Sequence, residues 1–333
     1  MAWLFAASAA LAAASAPVAE SAPPAENAPA SNQGVEIILP HGSQSISLTG
    51  DVEVIELAAE RYDRFTLEVM IGERGPFDFL IDTGSQATVL AREIADRLGL
   101  HERQPAMLIG MASTVAVEVA RVPDLTIGSR IVDVHLAPLL ERSNIGGADG
   151  ILGLDSLQGQ RVLLDFEAQT IAVATADDLG GDRGFEIVVK AHRKLGQLVI
   201  TRAEIDGVRT AVIVDTGAQG SVGNLALGRK LRGRDLGATS MMDVNGFSVE
   251  GQMRLARVLS MGGIELRSFP VAFADAPPFE ALGLQDEPAL IIGIRELKLF
   301  RRVAIDFEAR KVLFDLASGT VRSGRPASRI YGF

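Results

Sequence analysis

Residues 77–90 read "FDFLIDTGSQATVL", and far along the chain residues 210–222 read "TAVIVDTGAQGSV". Each is an apolar run that breaks on Asp-Thr-Gly, and one constant offset matches Asp82 with Asp215, Leu80 with Ile213 and Val89 with Val222. At average residue usage one Asp-Thr-Gly is expected in on the order of 0.06 of chains this long, and two independent copies in on the order of 0.002. Chance is a poor explanation, so the surroundings of each copy decide the matter.

Upstream, "FTLEVMIGERGPFDFLIDTGS" and "GQLVITRAEIDGVRTAVIVDTGA" share an order of strand, turn, strand and then Asp-Thr-Gly. Downstream, "DGILGLDSLQGQRVLLDFEAQTIAV" is answered by "ALIIGIRELKLFRRVAIDFEARKVLF". Both carry an apolar-apolar-Gly step, a short helical segment and a strand closing on Asp-Phe-Glu-Ala. A duplicated domain accounts for all of these features together.

Composition bounds what the halves can be. The chain has 333 residues, 47% of them hydrophobic, and only 5% aromatic, which gives enough apolar surface for two domains of short β-strands. A net charge of -10 without a basic cluster in the body excludes a nucleic-acid partner, whose phosphates require a lysine and arginine footprint. There is no cysteine, hence no disulfide framework, thiolate nucleophile or Cys-ligated zinc.

The expected organisation has five parts. Residues 1–16 are expected to form a signal segment, an apolar run in which Ala14, Ser15 and Ala16 fit a small-x-small cleavage site, although no Lys or Arg precedes it. An uncleaved anchor or an unstructured Ala-rich leader are the alternatives. Residues 17–34 form a flexible Pro/Ala-rich tether, residues 35–174 an N-terminal lobe, residues 185–316 a C-terminal lobe and residues 317–333 a tail. The stretch 175–184, "TADDLGGDRG", is the expected boundary, and "AREIADRLGL" is the clearest helix, ended by Gly99.

A carboxylate at the end of a buried strand is costly unless hydrogen bonds or a partner stabilise it. Thr83 and Thr216 offer hydroxyls, while Gly84 and Gly217 let the backbone turn sharply beside each Asp. Two such loops related by a pseudo-twofold axis can set Asp82 and Asp215 side by side, where they share one proton and titrate as a unit. That pair can activate a water molecule and donate to a carbonyl oxygen, with no metal and no other cofactor.

At these residues the sequence resembles the aspartic peptidases of the pepsin and retropepsin clan, over roughly residues 60–316. "DTGS" and "DTGA" look like its two catalytic loops, and "GILGL" and "LIIGI" resemble its apolar-apolar-Gly motif. The resemblance implies a mainly β, bilobal acid-protease fold, with two duplicated β-barrel-like lobes, short helices and a cleft between them. It implies an endopeptidase whose catalytic pair is Asp82 and Asp215, supported by Thr83, Gly84, Ser85, Thr216, Gly217 and Ala218. A retropepsin assembles its site by dimerising, whereas this chain holds both halves and is expected to be monomeric.

Flaps are expected at "MLIGMASTVAV", around Gly110 and Met111, and at "MDVNGFSVEG", around Asn245 and Gly246. Pepsins carry a flap tyrosine, but the two tyrosines here are Tyr62 and Tyr331, which favours the retropepsin type. Ser85 can hydrogen-bond Asp82 where Ala218 offers Asp215 nothing comparable, so Asp82 is expected to be the ionised member.

Other motifs carry less. Gly217, Gly220 and Gly223 are spaced G-x-x-G-x-x-G, unlike a dinucleotide loop. His41, His101, His135 and His192 are scattered, without zinc or triad spacing. Asp165 and Asp306 form a second symmetric acidic pair, read as turn or strand-end residues. The expected partner is a peptide or protein substrate and the expected location periplasmic or envelope-associated. A non-catalytic peptide-binding module and a latent precursor restrained by residues 35–60 are the competing readings.

Overall fold

The computed structural model describes residues 65–316 apart from Ser129 and, as backbone only, five short strands between Trp3 and Ala59. Apart from those strands, the leader, the tether, the stretch 35–60 and the tail lie outside the described residues. The chain is mainly β and bilobal.

Each lobe is built on the same plan. In the first, strands Phe65–Ile71 and Arg74–Ile81 form a hairpin; the second strand starts exposed at Arg74, Gly75 and Pro76, exposes Asp78 between buried Phe77 and Phe79, and ends with Phe79, Leu80 and Ile81 all buried. A strand covered on both faces has no polar side left, which is why it reads as an apolar run. Val89–Ala91 follows and leads into the helix Arg92–Leu98, whose C-cap is Gly99 at φ 74° with its amide bonded back to Ala95 and Asp96. A long hairpin, Arg103–Ile109 with Thr114–Ile127, comes next, then Arg130–Leu140 and the buried strand Gly150–Leu152.

The second lobe repeats the series: the hairpin Gln197–Ile205 with Val208–Val214, then Ser221–Gly223, the helix Leu225–Lys230, the hairpin Arg234–Asp243 with Ser248–Met261, Ile264–Phe273 and Ala289–Ile292. Its helix starts on Asn224, whose side chain accepts from the Leu227 amide as an N-cap should. An added helix, Pro277–Ala281, has Pro at its first turn, where the missing N–H costs nothing.

One parallel pairing in each lobe places the chemistry. Gly150–Leu152 lies alongside Phe79–Ile81, and Ala289–Ile292 alongside Ala211–Val214. The Leu152 carbonyl thereby takes the Asp82 amide at 3.0 Å, and the Ile292 carbonyl takes the Asp215 amide at 3.1 Å. The short helices just beyond, Leu154–Leu157 and Ile294–Leu297, start against the Asp-Thr-Gly loops, with Leu154 N donating to Ser85 O and Ile294 N to Ala218 O, each at 2.8 Å. Both apolar-apolar-Gly steps therefore pack directly under an Asp-Thr-Gly loop.

The lobes also share a sheet. Its strands run in the order Ile187–Lys190, Lys311–Leu316, Phe300–Asp306, Arg161–Asp165, Thr170–Ala174 and Val54–Glu56. Arg161–Asp165 of one half pairs antiparallel with Phe300–Asp306 of the other, with Leu163 opposite Ala304 near the centre. Across that seam Arg161, 1% exposed, donates from Nη2 at 2.7 Å and from Nε at 3.1 Å to Asp306 Oδ2. Arg161 also reaches the Gly181 carbonyl and Asp182 Oδ1, which ties the turns of residues 175–184 to the seam. Asp165, the symmetric counterpart, holds a turn by accepting from the Glu167 and Ala168 amides at 3.1 and 2.8 Å.

Candidate active site

The two Asp-Thr-Gly loops meet. Thr83 N donates to Thr216 Oγ1 at 3.0 Å and Thr216 N to Thr83 Oγ1 at 3.2 Å. Each hydroxyl then donates across to the last strand residue of the opposite lobe, Thr83 Oγ1 to Val214 O at 3.1 Å and Thr216 Oγ1 to Ile81 O at 2.7 Å. Threonine suits this position because one hydroxyl both accepts and donates. All four bonds lie between lobes and are buried, so neither loop reaches this geometry alone.

The glycines bring the carboxylates together. A Cβ on Gly84 would collide with the carboxyl of Asp215, and one on Gly217 with the carboxyl of Asp82. Each lobe's glycine therefore touches the other lobe's aspartate, and only a residue without a side chain fits. Gly84 and Ser85 amides donate to Asp82 Oδ1, both at 2.8 Å, and Gly217 and Ala218 amides to Asp215 Oδ1 at 2.8 and 3.1 Å. Asp82 is 1% exposed and Asp215 is fully buried.

Burial, then the adjacent charge of Asp82 and a hydrogen bond with it, push the Asp215 carboxyl well above its ordinary range, against the opposing pull of the Gly217 and Ala218 amides. A proton on Asp215 resolves the like-charge conflict, because two carboxylates this close cannot both ionise in a buried site. Such a pair holds an acid and a base together.

The loops are braced from below. In the first lobe Thr88 Oγ1 lies 2.6 Å from Asp155 Oδ1 and 2.7 Å from Ser156 Oγ. In the second, Ser221 Oγ donates to Glu296 Oε2 at 2.8 Å. Thr88 and Ser221 are six residues past their aspartates, and Ser156 and Glu296 three past their glycine steps, so these positions correspond. Burial raises Asp155 despite its hydrogen bonds and raises Glu296 to about 7. From the second lobe, Gln197 Nε2 donates to the Gly84 carbonyl.

The flap expectations fall on hairpin ends. Gly110 N closes the first on Ser113 O at 2.8 Å, and Asp243 N closes the second on Phe247 O at 2.8 Å, with Gly246 at φ 81° in the left-handed position of its three-residue loop. The two ends interlock. Asp243 Oδ1 accepts from the Asn245 and Phe247 amides at 2.9 and 3.0 Å, and its Oδ2 accepts from Ala112 N at 3.1 Å and Ser113 Oγ at 2.7 Å of the opposite hairpin. Asn245 Nδ2 adds a bond to Ser113 Oγ at 2.9 Å. Met111 is fully buried, in an apolar cluster that otherwise consists of second-lobe residues such as Ile213, Ala218, Val222 and Met241, with Ile109 packed against it.

The sequence reading named Gly110, Met111, Asn245 and Gly246 but not Asp243, which makes the contact. The signal was present, since an Asp two residues before Asn-Gly commonly caps its own turn. Gln197, Ser156 and Glu296 carried none, because their importance comes from what the other lobe or the loop above brings to them.

Compared with known families, the chain matches a family model described as aspartyl protease over residues 67–156 and again over residues 201–295, together more than half of its length. No curated protein matches it.

Proposed function

The chain belongs to the aspartyl protease family, and on that premise we propose that it is an endopeptidase that hydrolyses peptide bonds with a water molecule activated between Asp82 and Asp215. The observation that supports this most is the crossed contact of each loop glycine with the opposite aspartate, which gives two carboxyl groups one shared environment.

In the proposed cycle ionised Asp82 takes a proton from the water, whose oxygen attacks the carbonyl carbon, while protonated Asp215 gives its proton to the carbonyl oxygen. A neutral tetrahedral diol results. Asp82 then passes its proton to the amide nitrogen, Asp215 takes one from a diol hydroxyl, and the C–N bond breaks to an acid and an amine. The dyad is back in its starting protonation state. The acidic partner depends on the raised Asp215, so activity falls as pH rises through that raised pKa.

Both carboxylates are at most 1% exposed, so a substrate reaches them only when the hairpin ends held by Asp243 part. An extended peptide can then pair with the hairpin edges as an added strand. The apolar leader supports export to the periplasm or envelope, which N-terminal sequencing of the protein recovered from that fraction tests.

A mixed peptide library incubated with residues 35–333 over roughly pH 4 to 7, the range in which such pairs are tuned to act, tests the reading. Cleavage by the wild type and silence of Asp82→Asn support it. Equal silence of both, with peptide still bound, replaces it with the non-catalytic binding module. Activity that appears only after residues 35–60 are removed identifies a latent precursor.

A further inference from the structure

The sheet shared by the lobes ends on the strand Ile187–Lys190. One edge of that strand pairs with Lys311–Leu316, and among the described residues its other edge pairs with nothing. An open edge of unpaired backbone groups is a template for another strand.

Beside it lies a groove of about 830 Å³ lined in part by Val188, Lys190, His192, Arg202, Arg310 and Lys311. Five of those six side chains are basic, and no Asp or Glu lines the groove. On a chain with a net charge of -10 this is a local reversal of sign. Lys311 Nζ is held by Asp182 Oδ2 at 2.6 Å, but among the described residues Lys190, His192, Arg202 and Arg310 make no ion pair.

The register adds a second observation. Lys190 stands directly opposite Lys311, and like charges so placed across a strand pair are destabilising. Val188, on the exposed face two residues before Lys190, is 40% exposed. The strand's buried face is apolar, with Ile187 and Val189, and its exposed face ends on the cation Lys190, so it suits an incoming strand that sets apolar side chains on one face and acidic ones on the other.

We propose that this groove binds an extended acidic peptide segment, which joins the free edge of Ile187–Lys190 as a further strand and sets its carboxylates against Lys190, Arg202 and Arg310. No residue of the catalytic loops lines it, so it is a docking site apart from the dyad. Its use in recruiting protein substrates rests on the protease reading, whereas the binding does not.

The test uses the full chain carrying Asp82→Asn, so that nothing is cut, and a fluorescent ten-residue peptide alternating Glu and Val. Anisotropy should report saturable binding that weakens with added salt and at least tenfold weaker binding when Lys190→Glu and Arg202→Glu are added. A Lys/Val peptide should not bind, and the same acidic peptide broken by two prolines should bind at least tenfold more weakly. In the Asp82-containing chain, Lys190→Glu with Arg202→Glu should leave cleavage of short neutral peptides unchanged, which separates failure of docking from failure of catalysis. Peptide affinity indifferent to the two substitutions would overturn the proposal. So would equal binding of the proline-broken peptide, or retention on anionic phospholipid vesicles that needs Lys190 and Arg202 while the peptide does not bind.

Discussion

The two lobes follow one plan, and they differ in an ordered way. What both carboxylates require is duplicated closely: the strand that ends on Asp, the Thr that crosses the axis, the Gly that admits the opposite carboxyl. What serves one lobe or the seam has diverged. Under the loops, Ser156 in one lobe corresponds to Glu296 in the other. At the hairpin ends a single acid, Asp243, holds both tips, and its counterpart hairpin offers only an amide and a hydroxyl. Along the seam, Arg161 is buried against Asp306, whereas Arg302, which stands opposite Asp165, turns to Asp315 instead. Symmetry has been kept where two groups must be equivalent and relaxed where one copy suffices.

The seam offers the largest break in this pattern. Asp306→Ala leaves the Arg161 guanidinium buried without its main partner, and removal of one member of such a pair costs about 3–5 kcal/mol. Asp165→Ala, at the half-exposed counterpart, removes turn hydrogen bonds worth about 1 kcal/mol. Urea unfolding of the two variants measures the difference, and equal losses would mean that the seam is symmetric after all.

Next comes the brace beneath the second loop. Burial raises Glu296 from 4.5 to about 7, so the folded chain holds a proton that the unfolded chain releases. Its stabilising share is complete below about pH 4.5, falls as pH rises, and is gone above about pH 7, a change on the order of 3 kcal/mol. Glu296→Gln should flatten that part of the stability profile. Ser156, its counterpart, does not titrate, so Ser156→Ala should leave the slope unchanged.

The axis itself gives a functional loss. Gly217→Ala drives a methyl group into the Asp82 carboxyl, and displacements near 1 Å in an active site cost about 100-fold. Gly84→Ala should cost as much from the other side, and kcat/KM for the two variants measures how exact the symmetry is. The smallest effect belongs to the tips. Asp243→Ala removes the buried acceptor of four hydrogen bonds, two of them to the opposite hairpin, and should speed amide exchange at Ala112 about tenfold.

Much of this architecture was legible in the sequence because duplication wrote it twice. "DTGS" and "DTGA" after apolar strands, and "GILGL" and "LIIGI" downstream, have the same local environment in each lobe, and local environment is what sequence pattern encodes. The helix ended by Gly99 was readable for the same reason, since its cap lies within its own turn. The shared sheet was not. Arg161 and Asp306 look like ordinary strand-end charges until Arg161–Asp165 is paired with a strand from the other half of the chain. Asp243 reads as a turn residue, and its second oxygen meets the opposite hairpin only in three dimensions. Sequence periodicity reports which face of a strand is buried but is silent on which distant segment covers it.

The central claim is that Asp82 and Asp215 act as one catalytic unit supplied by two lobes. The direct measurement is a double-mutant cycle on peptide cleavage with Asp82→Asn, Asp215→Asn and the two combined. Groups that act together are strongly non-additive. Each single variant should lose activity by about 1,000-fold or more, and the double variant should lose no more than either. Losses that multiply, or one aspartate that proves dispensable, would contradict a shared dyad.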